Sequence, residues 1–392
     1  MDQKTRWMLP EGVDELLPPE AAEAEALRRR LLDLYRAWGY ELVMPPFIEY
    51  LDALLTGSGR DLDVQTFKVT DQLSGRTLGV RPDITPQAAR IDAHQLRSDG
   101  VSRLCYIGST LQARPEGPSG TRNAVQLGAE LYGHSAVESD LEILSLMLDT
   151  LRTAGVEDFH IDVGHVGIFR ALVEDLRLPA ETEEQVFDAL QRKASDGLAA
   201  ALQDAGVGTA EAERITALAE LHGGLEVLEH ADTLLGWAGE AVSDALGQLH
   251  SVADSLQRTE PDIPLHFDLG ELRGYRYHTG LVFAAYTPRH GQEIARGGRY
   301  DGIGRAFGRP RPATGFSGDL KTLLNLGGAS GVAESANGIL APWGDDPALH
   351  QRVAELRAAG HRVVWQLPGD SGEHGCSRRL VERNGTWQLD TE

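Results

Sequence analysis

The stretch 105-CYIGSTLQARPEGPSGTRNAVQLGAELYG-133 decides the fold. Two runs, CYIGSTL (105–111) and AVQLGAELYG (124–133), carry strand formers and flank the turn-rich segment QARPEGPSGTRN. An antiparallel hairpin with an unusually long connection is predicted, and long ordered loops are often functional. In the second run a period of two puts Gln126, Gly128, Glu130 and Tyr132 on one face. Val125, Leu127, Ala129 and Leu131 fall on the other. A polar, small and aromatic face opposite an aliphatic one is either the wet side of an antiparallel sheet or the floor of a pocket.

Upstream of the hairpin, Leu27, Leu31, Leu34 and Trp38 recur at helical spacing, which predicts an amphipathic helix over 20–38. Pro18 and Pro19 precede it, and Gly39 suits the left-handed position after its end. ELVM (41–44) reads as a short strand stopped by Pro45 and Pro46. Strands with glycine punctuation are expected from about 67 to 135. Downstream, Leu141, Leu144, Leu148 and Leu151 predict a helix over 137–153.

Residues 171–260 read as several helices and hold 18 acidic against 5 basic side chains, a net of −13. Strand signals resume at LHFDL (265–269) and continue through YTPRHGQE and ARGGRYDG to ATGFSGDL. GGASGVAESANG, after about 325, reads as a linker. The tail then alternates strand, helix and strand in GILAP, HQRVAELRAAG and HRVVWQL. The expected organisation is a core over 1–325, a linker over 326–334 and a small α/β domain over 335–392.

At 392 residues with 41% hydrophobic content, the chain can bury a sizeable core. A net charge of −22 disfavours a phosphate backbone as partner. No apolar run reaches 18 residues, and the start, MDQKTRWMLPEGVDELLPPE, lacks a signal-peptide layout, so a cytoplasmic, membrane-free protein is expected. Cys105 and Cys376 are too far apart in sequence to imply a metal site or a disulfide framework. Cys105 is expected in the core.

Two further segments bring chemistry. RPDITP (81–86) offers Arg81, Asp83 and Thr85 at alternate positions, and LRGYRYHTG (272–280) offers Arg273, Tyr275, Tyr277 and Thr279 by the same spacing. A carboxylate with a hydroxyl can hold an ammonium group. Gln126 and Glu130 can hydrogen-bond an imidazole, and an arginine can grip a carboxylate. Together these are the donors and acceptors that free histidine needs. GGRYDG (297–302) reads as a tight glycine turn that either cradles a ligand or relieves a bulge between strands. No Walker-type GxxxxGK[ST] occurs. His165, beside glycines in DVGHVGIF, reads as a packed residue.

The ordered set MPPFIEY, RPDITPQAAR, YIGSTLQARPEGPSGTRNAVQLGAELYG, LRGYRYHTGLVF, GGRYDG and ATGFSGDLKTLL resembles the class II core of histidyl-tRNA synthetase over roughly residues 8–325. The resemblance implies an α+β fold, a six- or seven-stranded antiparallel sheet flanked by helices. It also implies homodimerisation around Pro45 and Pro46, with 171–260 as a helical insertion. In that family Arg-x-Glu grips ATP where this chain has Gln112, Ala113 and Arg114, and an arginine stacks on adenine where this chain has Lys321 and Thr322. Losing one preorganised donor costs about 2.7–4 kcal/mol, so losing two cations implies roughly 10⁴-fold less adenylate formation.

The amino-acid site is kept by the same resemblance. Asp83 and Thr85 match the ammonium contacts, Gln126 and Glu130 the imidazole contacts, and Arg273 and Tyr277 the histidine-specific motif. RPDITPQAARIDAH and DVGHVGIF are more similar to the regulatory subunits of ATP phosphoribosyltransferase than to synthetases. That likeness implies a non-catalytic subunit without cofactor, metal or tRNA. It implies dimers that assemble with a short-form catalytic subunit, four of each, and take histidine as effector in the first step of histidine biosynthesis. The alternative is an active or diverged histidyl-tRNA synthetase-like ligase.

Overall fold

Leu127, Ala129 and Leu131 are buried, as the alternation predicts. They share one core with Leu27 and Leu31 of the helix Glu20–Ala37 and with Leu144, Met147, Leu148 and Leu151 of the helix Val137–Thr153. Each such leucine contributes about 1.5–3 kcal/mol on burial. Gly39 follows the first helix with φ of 83°, the left-handed conformation that glycine adopts without steric penalty. The computed structural model describes residues 7–57, 60–115, 120–236, 238–272, 274, 275, 277–327 and 338–390. The chain divides into two units, Met1–Gly328 and Ala329–Glu392.

In the first unit the strands Ser102–Ser109, Val125–Tyr132, Ala313–Asp319, Ala295–Arg299, Leu281–Tyr286 and His160–His165 follow one another, antiparallel at every pairing. The sheet does not stop at six or seven strands. Glu41–Leu42 adds in parallel beyond Ser102–Ser109, Leu265–Asp268 adds in parallel beyond His160–His165, and His222–Gly223 forms the far edge. It is therefore nine-stranded and mixed, because short flanking segments satisfy backbone groups that edge strands would leave open. A separate antiparallel sheet has the order Ile48–Tyr50, Thr77–Val80, Phe67–Thr70.

The expected run of strands from 67 to 135 is broken by the helix Thr85–Arg90 and a π-helical turn, Ile91–Leu96. Pro86 lies in the first turn of that helix, where a proline suits the backbone. YTPRHGQE is mostly the turn between Leu281–Tyr286 and Ala295–Arg299.

The acidic segment is helical, with the helices Ala180–Gln191, Ser195–Asp204, Thr209–Ala217, Glu226–Leu235 and Glu240–Thr259. It also supplies the edge strand His222–Gly223, which its composition hides. Val186, Leu190, Leu198, Leu202 and Leu228 are buried in the same core as the sheet, so the charge is carried on a packed body.

Leu326 and Gly327, assigned to the linker, still belong to the helix Leu320–Gly327; positions 328–337 lie outside the described residues. The second unit has four strands, not two, in the order Val363–Gln366, Gly338–Pro342, Cys376–Arg383, Thr386–Asp390. Its helix, Pro347–Ala358, buries Leu349, Val353 and Leu356 against Ile339, Ala341, Val363 and Leu380. The last two strands pair antiparallel across Asn384 and Gly385, whose φ angles of 52° and 73° fit the Asn-Gly hairpin turn.

Candidate ligand pocket

Glu130 is the centre of the polar face of Val125–Tyr132, and it is only 1% exposed. Tyr106, across the sheet from Gly128, donates a hydrogen bond of 2.9 Å to one of its carboxylate oxygens. Tyr300 donates to the other. Glycines make this possible: a Cβ at 128 would sit 2.5 Å from the Tyr106 hydroxyl, and one at 315 would collide with the Glu130 carboxylate. Burial is the largest influence on Glu130 and pushes its pKa up to about 8; the Tyr300 and Tyr106 hydrogen bonds pull the other way, and the Asp83 charge adds to the rise.

Asp83 and Thr85 reach the same place from the start of the helix Thr85–Arg90. Asp83 Oδ1 accepts from the Thr85 backbone N–H at 2.9 Å and from Gln126 Nε2 at 2.7 Å, while Gln126 Oε1 accepts from the Ile84 N–H at 2.8 Å. The Thr85 and Tyr106 hydroxyls are 3.0 Å apart. A continuous polar chain therefore runs from Asp83 to Glu130. Tyr277 stacks on Tyr300 at 4.9 Å and 19°, and its buried hydroxyl has no hydrogen-bond partner among the described residues. Burial first, then the charges of Glu130 and Asp83, raise its pKa well above the phenol range.

Five of the six expected ligand contacts, Asp83, Thr85, Gln126, Glu130 and Tyr277, thus converge. The sixth, Arg273, lies outside the described residues. The alternate spacing read in RPDITP fails for Arg81, because no strand continues there. Its buried guanidinium instead donates to the carbonyls of Ser109 at 2.8 Å and Pro45 at 2.7 Å. The spacing in LRGYRYHTG fails too. Gly274, at φ of 68°, opens a turn that sends Tyr275 away from the pocket and Tyr277 into it. Thr279 accepts from the Asp301 N–H at 3.0 Å.

In GGRYDG the turn comes at Asp301 and Gly302, while Gly297 and Gly298 lie in the strand Ala295–Arg299. Gly297 leaves room for the Phe283 ring and the Gly315 carbonyl in unbroken register, so neither a bulge nor a cradle is needed. Arg299 is buried in an ion pair of 2.9 Å with Asp140, and Asp301 accepts from the Ala313 N–H at 2.8 Å. The member of that motif that reaches Glu130 is Tyr300, which the spacing did not single out; nor did it single out Tyr106. Cys105 is core, and His165 caps the helix Val166–Leu176 by accepting from the Gly167 N–H.

The positions matched to ATP contacts look different. Gln112 is tied by its backbone to Arg122 in both directions, at 2.7 and 3.0 Å, and Arg114 is exposed. Thr322 donates its hydroxyl to Asp319 at 3.0 Å at the start of the helix Leu320–Gly327. Lys321 pairs with Asp14 at 3.1 Å, and Asn123 and Thr121 fasten the same N-terminal segment. These groups serve the chain itself.

Two recesses lie elsewhere. One of about 550 Å³ is lined by Arg214, Leu221, His230, Thr233 and Leu234 in the acidic helices; one of about 350 Å³ is lined by Leu340, Gln366, Arg379 and Trp387 among others in the second unit. Neither includes a residue of the Glu130 network. No metal-binding cluster of His, Cys, Asp or Glu occurs among the described residues.

Comparison with known proteins adds independent findings. The family described as histidyl-tRNA synthetase matches residues 12–323, and the one described as ATP phosphoribosyltransferase subunit HisZ C-terminal domain matches residues 336–390. The chain is 59% identical to an ATP phosphoribosyltransferase regulatory subunit of Alkalilimnicola ehrlichii, covering 97% of this chain and 96% of that one. It is 55% identical to the corresponding protein of Thioalkalivibrio sulfidiphilus, over 97% of each. Among solved structures, an ATP phosphoribosyltransferase regulatory subunit/histidyl-tRNA synthetase from Bacillus halodurans superposes with a TM-score of 0.80 at 28% identity, covering 95% of this chain and 96% of that one.

Proposed function

The chain belongs to the family of ATP phosphoribosyltransferase regulatory subunits, and from that premise we propose that the Glu130 pocket is where it senses histidine. Within histidine biosynthesis its place is regulatory, with catalysis carried by the partner subunit. One observation carries the pocket reading. Among the described residues Glu130 and Asp83 make no ion pair, and beside them the buried Tyr277 hydroxyl has no hydrogen-bond partner. A buried polar atom left unpaired costs about 1–3 kcal/mol, which a complementary ligand relieves. Histidine brings an ammonium for Asp83 and Thr85, ring N–H groups for Glu130, and a carboxylate for Arg273.

Titration of the purified chain with histidine tests this directly. Glu130→Gln should weaken binding at least fivefold, since it replaces an oxygen of the Tyr106–Glu130–Tyr300 network by an amide nitrogen and leaves a buried group mispaired, which costs about 1–3 kcal/mol. Equal binding by wild type and Glu130→Gln rejects the pocket.

The same reading includes absence of aminoacylation, a short-form catalytic subunit as partner, and an assembly of four chains of each kind. Dimerisation around Pro45 and Pro46 is supported by the exposed apolar side chains of Leu42, Met44, Phe47, Ile48 and Tyr50 there. Sedimentation of the co-purified complex measures the stoichiometry. No helix among the described residues is long and apolar enough to cross a membrane.

A further inference from the structure

Tyr275 and Tyr277 are two residues apart yet serve different bodies. The Tyr275 ring lies 5.3 Å from Phe169 and 5.6 Å from Phe187, with the Arg170 guanidinium 5.1 Å over its face. Its hydroxyl donates to Glu183 at 3.0 Å. Phe187 and Glu183 belong to the helix Ala180–Gln191, the first wholly within the acidic insertion; Phe169 and Arg170 belong to Val166–Leu176, which leads into it. Tyr277 forms the wall of the Glu130 pocket through its stack on Tyr300.

The connection between the two rings is stiff. The N–H groups of Tyr277 and His278 both donate to the Gly274 carbonyl at 2.7 Å, and Arg170 donates to the carbonyls of Tyr275 at 3.0 Å and His278 at 2.9 Å. Thr279 N–H then bonds the Arg299 carbonyl at 2.7 Å, which fixes the far end of the turn to the sheet. These bonds hold Gly274, Tyr275, Tyr277, His278 and Thr279 to one another, to Arg170 and to the sheet, so movement of one ring is opposed unless the other moves with it.

We infer that the turn 274–279 relays occupancy of the Glu130 pocket to the helix Ala180–Gln191, with Tyr275, Arg170 and Glu183 as positioning residues that touch no ligand. This rests on the pocket reading above. A ligand that engages the orphan Tyr277 hydroxyl shifts the Tyr277–Tyr300 stack. The turn carries that shift to Tyr275, and the hydroxyl bond to Glu183 passes it to the helix. Coupling requires the ligand to favour one arrangement of this clamp over another.

The experiment uses the complex of this chain with its catalytic subunit and three variants, Tyr275→Phe, Glu183→Gln and Glu130→Gln. Histidine affinity of the free chain, histidine inhibition of the complex, and amide hydrogen exchange in Ala180–Gln191 are measured for each. Expected for Tyr275→Phe and Glu183→Gln is histidine affinity within about twofold of wild type, with inhibition weakened about five- to thirtyfold, inside the range of allosteric couplings. Histidine slows exchange in the helix in wild type and not in these two. Inhibition that stays at the wild-type value in both, or that falls only in step with affinity, overturns the relay while leaving the pocket standing. Unchanged histidine binding in Glu130→Gln overturns the pocket and the relay with it. Glu183→Gln changes only one atom of a half-exposed side chain, so it reports even if Tyr275→Phe perturbs packing.

Discussion

Two regions beside the same hairpin behave differently. Around Glu130 the polar groups form a closed chain that still leaves a phenol unpaired and two carboxylates without a cation among the described residues. Near the other positions Thr322 is bound to Asp319, Lys321 to Asp14, and the Gln112 backbone to Arg122. The contrast teaches that the two regions differ in which buried polar groups keep hydrogen-bonding capacity, more than in how many polar residues each contains.

The largest effect that would break this contrast concerns nucleotide chemistry. Histidine-dependent pyrophosphate exchange by the purified chain should lie about 10⁴-fold or more below that of a synthetase. Exchange at ordinary turnover would show that the second region still holds ATP. Next, Asp83→Asn should weaken histidine binding about tenfold or more in calorimetric titration, whereas Thr322→Val should leave it unchanged.

Gly315→Ala should destabilise the chain by about 1–3 kcal/mol, read as a lowered urea midpoint, because the new methyl meets the Glu130 carboxylate. Glu130 also gives a pH signature. Its folded pKa of about 8 is above the unfolded value of 4.5. The folded state therefore keeps a proton that the unfolded state loses, and stability falls as pH rises from about 4.5 to 8, then levels off. Glu130→Gln should flatten that slope, and an unaltered profile would place the titration elsewhere. The smallest effect is expected from Thr322→Val itself, about 1.5 kcal/mol or less, since it removes one hydrogen bond to a carboxylate that keeps other donors.

The period-two face of Val125–Tyr132 and the leucine stripes of its covering helices were legible because alternation and helical spacing report regular structure. Asp83, Thr85, Gln126, Glu130 and Tyr277 come together in the structure, but two of the segments were read through the wrong geometry. Alternation was assumed where Pro86 starts a helix and where Gly274 makes a turn, which wrongly enlisted Arg81 and Tyr275. Tyr300 and Tyr106 escaped because their importance comes from register: glycines at 128 and 315 on neighbouring strands let their hydroxyls reach one carboxylate. The last hairpin was readable from Asn384-Gly385, a strong turn signal that the tail's strand–helix–strand pattern obscured. The edge strand Glu41–Leu42 was legible within ELVM, stopped by the prolines that follow, whereas His222–Gly223 is too short for any periodicity to reveal.

Gly128 and Gly315 also restrict how this protein can change over time. A side chain at either position would displace Tyr106 or Glu130. On the proposed reading of the pocket, a shift toward a different effector would be made in the wall contributed by Tyr277. Selection for a new ligand would then fall on a handful of turn residues while the sheet stays as it is.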